Sequence, residues 1–78
     1  MKKYYYYVGV VTDTGIILVT SKDSQRRTAE WDTGKIPLEM SKLIAEDLSY
    51  GLFLNGNPAF VIRSHYPLDK QIGVVSQQ

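Results

Sequence analysis

Two copies of one tripeptide, Asp13-Thr14-Gly15 and Asp32-Thr33-Gly34, are the residues of this chain best placed by type to do chemistry. Two aspartates brought together can share one proton, so that one acts as acid while the other acts as base. The next candidate is His65, the only histidine and the residue type that titrates near neutrality. It stands beside Ser64 in Ser-His-Tyr-Pro. Neighbours along a strand point to opposite faces, so this serine and histidine cannot form a nucleophile–base pair. With no cysteine and a single histidine, no metal-ligand spacing is present. Gly9 and Gly15 fit no dinucleotide fingerprint, and no phosphate-binding Gly-x-x-x-x-Gly-Lys occurs. The expectation is a chain without catalytic, cofactor or metal residues.

The doubled Asp-Thr-Gly, with Ile72-Gly73 downstream, resembles the aspartic proteases. That resemblance implies an enzyme acting through Asp13 and Asp32. The surroundings differ: Thr12 and Trp31 precede the aspartates, and Ile16 and Lys35 follow the glycines. The family needs an apolar strand leading in and a small residue following. Asp-x-Gly is also ordinary turn chemistry, and both copies fall where a polar turn is expected. A protease-like enzyme is therefore the third of three functional readings.

The aromatic residues carry the other two. Lys2 and Lys3 adjoin Tyr4 to Tyr7, and Trp31 and Tyr66 lie elsewhere. Rings beside cations can stack single-stranded bases, at about 1–3 kcal/mol per base. Lys2, Lys3, Tyr5, Tyr7, Arg26 and Arg27 would line such a surface. Nine basic against eight acidic side chains give a net charge of only +1, weak for holding a phosphate backbone, and no RNP-type motif is present. Tyrosine is equally a good strand residue whose amphipathic ring tolerates half-burial. Nucleic acid is thus the alternative partner and not the favoured one.

Positioning these residues requires strands. Tyr4 to Val11 is aromatic and β-branched on both faces, which predicts a central strand covered on two sides. The turn at Thr12 to Gly15 and a return over Ile16 to Ser21 predict a β-hairpin, with Gly15 taking a positive φ. Lys22 to Arg27 reads as an exposed loop, and Thr28 to Asp32 alternates as a short third strand. Pro37 suits the first position of a helix over about residues 37–53, with Met40, Leu43, Ile44, Leu48 and Leu52 as its buried stripe. Asn55-Gly56 caps it and Asn57-Pro58 forbids continuation. Ala59 to Tyr66 is a fourth strand; Ile72 to Val75 is open between a short fifth strand and an ordered tail. The fold class expected is α+β: a small, mainly antiparallel sheet, β-β-β-α-β, with one helix packed on one face.

Seventy-eight residues without disulfides predict one domain with a small core, and self-association is a common way to stabilise such a core. One helix covers one sheet face, and the first strand is apolar on both. The leading expectation is a non-enzymatic interaction protein, homodimeric through the tyrosine-rich face with Tyr5, Tyr7, Ile17 and Val19, that also binds a protein partner not identified by the sequence. Its scale is compatible with a phage or mobile-element accessory protein. The basic and apolar start is interrupted by tyrosines and by Thr12 to Gly15, which predicts no signal peptide, no membrane span and a cytoplasmic location.

Overall fold

The structure, a computed structural model, describes residues 3–13, 15–20 and 36–71. Within them the chain forms β1 (Tyr5–Thr12), β2 (Gly15–Leu18), α1 (Lys42–Leu54) and β3 (Ala59–Ser64). The sheet is antiparallel throughout, with strand order β2-β1-β3. The apolar strand expected at the centre is at the centre, and one helix packs against the sheet in an α+β arrangement. The third strand expected at Thr28 to Asp32, the loop at Lys22 to Arg27 and the fifth strand at Ile72 to Val75 lie outside the described residues.

The hairpin forms where the turn chemistry placed it. Thr12 pairs with Gly15, whose φ of 130° is a conformation that favours glycine. The Thr12 hydroxyl donates to the Gly15 carbonyl at 2.8 Å and closes the turn.

The helix begins later than Pro37. Residues 36–40 instead run extended beside the hairpin: the Leu38 N–H donates to the Val19 carbonyl and the Met40 N–H to the Tyr6 carbonyl, each at 3.0 Å. Those bonds commit the backbone to sheet pairing, so helical geometry starts only after Ser41. The Ser41 hydroxyl caps the helix by accepting from the Ile44 N–H at 3.2 Å. At the other end the Asn55 N–H reaches the Gly51 and Leu52 carbonyls, and Gly56 takes a φ of 92°.

The buried stripe also differs from expectation. Ala45, Leu48 and Leu52 face the sheet, and Met40 reaches the core from the extended segment. Leu43 and Ile44 are exposed. The helix packs on Val8, Val10 and Val19, with Tyr6, Leu38, Ala59 and Val61 partly buried around them. Each fully buried leucine or valine stabilises the fold by roughly 1.5–3 kcal/mol relative to exposure. Leu52 lies at the middle of this face, between Ala45 and Leu48.

The opposite sheet face is not bare. Register places Tyr5, Tyr7, Gly9 and Val11 there beside Ile16, Leu18, Phe60 and Ile62. Residues beyond β3 return to this side. The Leu68 N–H donates to the Tyr7 hydroxyl at 2.9 Å, and the Gln71 amide bonds both backbone groups of Leu18. Tyr7 and Leu18 are sealed as a result.

Candidate interaction surface

The four residues expected to form one interaction surface fall on two faces. Tyr5 and Tyr7 lie on the side away from the helix, while Ile17 pairs with Val10 and Val19 joins the helix-side core. Tyr7 is 1% exposed and Val19 0%, so neither offers area to a partner in this fold. Tyr5 and Ile17 are half-buried. The physical reason is the crossing of residues 65–71 over Tyr7, which the apolar pattern of β1 could not reveal.

Of the residues proposed for nucleic acid, Lys2, Arg26 and Arg27 lie outside the described residues. Lys3 is exposed, with its ammonium 5.2 Å from the centre of the Tyr5 ring. A second cation was missed in the sequence: the Arg63 guanidinium lies 4.4 Å from the centre of the Tyr4 ring. His65 meets the same tyrosine edge-on, with ring centroids 5.2 Å apart. The pairing of Tyr6 with Arg63 and Tyr5 with Ser64 sets these neighbours together, a register that sequence spacing alone does not fix. Ile62, Arg63, Ser64, His65, Tyr66 and Leu68 line an open depression of about 290 Å³ beside them.

Asp13 is exposed in the hairpin turn, and Asp32 lies outside the described residues. Among the described residues, no group of three or more histidine or carboxylate side chains is arranged to hold a metal ion. None of their helices is long and apolar enough to cross a membrane.

Several of the large exposed apolar side chains lie on the helix, with Ile36 and Tyr66 exposed elsewhere. Leu43 is 77% exposed, Tyr50 61%, Phe53 63% and Leu54 63%. At 100° per residue, Leu43, Asp47, Tyr50 and Leu54 occupy an arc of about 60°, roughly opposite Ala45, Leu48 and Leu52. The helix therefore carries two stripes, one spent on the core and one directed to solvent. Lys42, Glu46 and Ser49 form a polar strip between them. The signal was visible in the sequence as Leu43 and the Tyr50, Phe53, Leu54 group, which no single buried stripe can accommodate.

No family model matches this chain, and neither a curated protein nor a solved structure matches it.

Proposed function

We propose that this is a non-enzymatic, cytoplasmic interaction protein that binds a protein partner through the outer face of α1. The observation that carries this reading is the exposure of Leu43, Tyr50, Phe53 and Leu54 together on one short helix. Scattered exposed apolar residues are normal, but a contiguous group is characteristic of an interaction site. Tyrosine suits such a surface because its ring packs while its hydroxyl keeps a polar contact. The helix is anchored by Ala45, Leu48 and Leu52, so the outer side chains are presented from a rigid element.

A photo-crosslinking amino acid placed at Tyr50 tests this reading in living cells, with Lys70 as the control position. A discrete protein adduct from position 50 and none from position 70 is the expected result. Equal, diffuse labelling at both positions would refute it.

A second reading, binding of single-stranded nucleic acid, is favoured by the Arg63, Tyr4, His65 and Lys3, Tyr5 groups. It is the weaker one because the chain's own cations already lie over both rings, which leaves less free face for a base. Oligonucleotide binding at low salt that fell on Arg63→Ala would promote it above the first. Unchanged fluorescence anisotropy of labelled single strands would remove it.

A further inference from the structure

We propose that α1 pairs with α1 of a second copy of this chain, antiparallel, about a two-fold axis centred between Asp47 and Tyr50. This rests on the reading that the outer helix face binds a protein, and it names that protein.

The spacing of Leu43, Asp47, Tyr50 and Leu54 is four, three, four, the alternation of a two-helix seam. All four are exposed, and among the described residues the core uses the other side of the helix, Ala45, Leu48 and Leu52. The order of chemistry along it is self-complementary in one orientation. An antiparallel partner sets Leu43 against the partner's Leu54 and the partner's Leu43 against Leu54. It also sets each Asp47 carboxylate opposite a Tyr50 hydroxyl, an acceptor facing a donor. Parallel pairing would instead set Asp47 level with Asp47, whereas the antiparallel arrangement offsets the two carboxylates by about 4.5 Å along the axis and puts a hydroxyl opposite each. A partner with an unrelated apolar surface would leave Asp47 without a donor in a drying interface, which is costly. The second copy supplies that donor twice, by symmetry.

Size sets the strength. Thirteen residues make a helix about 20 Å long, so the contact falls below the roughly 800 Å² per partner of a standard interface. Dissociation in the micromolar range, about 1–100 μM, is the expected affinity. The dimer is one that forms at high local concentration and separates on dilution.

The chain has no cysteine, so single substitutions give clean reporters of geometry. Leu43→Cys and Leu54→Cys chains are mixed in equal amounts and oxidised gently. Antiparallel pairing puts residue 43 level with the partner's residue 54, while the two copies of residue 43 stand about 16 Å apart along the axis. A disulfide needs Cα atoms within about 7 Å. The mixed disulfide should therefore exceed both self-disulfides several-fold. A statistical mixture, or a preference for self-disulfides, would overturn the proposal.

Sedimentation of the unmodified chain from about 1 to 500 μM should show a monomer–dimer equilibrium, weakened about tenfold or more by Leu43→Lys with Leu54→Lys. Both leucines are exposed, so the melting curve of the dilute variant should match that of the dilute parent. A parent chain that stays monomeric throughout this range would overturn self-pairing. If Tyr50 then still crosslinks to a protein of another mass, the outer-face reading survives alone. If it does not, both fall.

Discussion

Gly9 has no side chain at the middle of a central strand, and the reason is in its neighbours. A Cβ there would lie 3.1 Å from Ile62 Cδ1, 3.1 Å from Phe60 Cζ and 3.3 Å from Ile16 Cγ2. The two flanking strands close over the gap, so larger side chains on β2 and β3 do the packing that β1 does not. Gly9→Val would raise strand propensity, a gain of at most about 1 kcal/mol. Overpacking costs about 1–3 kcal/mol, so the loss should win. The melting temperature should fall by about 4–8 °C for each kcal/mol lost. A variant melting at or above the parent temperature would show that Ile62 and Phe60 can move aside. The tyrosine run likewise divides residue by residue. Tyr4 lies under Arg63, Tyr5 near Lys3, Tyr6 at the core margin and Tyr7 in the sealed interior. Alternation along a strand predicts two classes of tyrosine; the chain segments that cover each face create the further distinctions.

The elements show which signals in the sequence were sufficient. β1 and β2 were legible because two local signals agreed: an apolar β-branched run, and a turn ending in a glycine that takes positive φ. β3 was legible for the same reason, with Pro58 before it and Ser64 bonding to Tyr66 as the chain bends away. The helix was legible as an element but not in its phase. Pro37 is a sound helix start in isolation, yet the backbone of Leu38 and Met40 is taken by Val19 and Tyr6. That pairing is long-range and leaves no mark in a local window. Counting the stripe from Met40 then rotated the helix, because Met40 enters the core from an extended segment. Ala45, which belongs to the true stripe, is too small to stand out by hydrophobicity. The same rotation hid the outer seam, since Leu43 was assigned to the core. A candidate site on this molecule thus depended on a helix phase set by tertiary pairing, and could be read only once that pairing was known.

For the molecule as a whole, the segment after β3 gives the sheet face away from the helix a partial cover, over Tyr7 and Leu18. β2 is short and lies at the sheet edge, where unpaired N–H and C=O groups invite pairing with other chains. Gln71 occupies that edge as a strand would: its Oε1 accepts from the Leu18 N–H at 2.7 Å, and its Nε2 donates to the Leu18 carbonyl at 3.0 Å. The Tyr7 hydroxyl holds Leu68 and brings the segment back across the face. Gln71→Ala removes both bonds at Leu18 without adding bulk or charge. At about 0.5–1.5 kcal/mol per hydrogen bond, the two together contribute about 1–3 kcal/mol. The melting temperature should fall accordingly, by about 4–8 °C per kcal/mol. Hydrogen exchange separates this edge from the rest of the fold. The Leu18 amide should lose protection by more than global destabilisation accounts for, while Tyr7 and Gly9, whose backbone faces β3, should track the global change. Sealing of the edge by Gln71 would be refuted if Leu18 exchanged in step with those central amides. Confirmation would show that a side chain 53 residues from Leu18 in sequence completes the sheet edge at that residue.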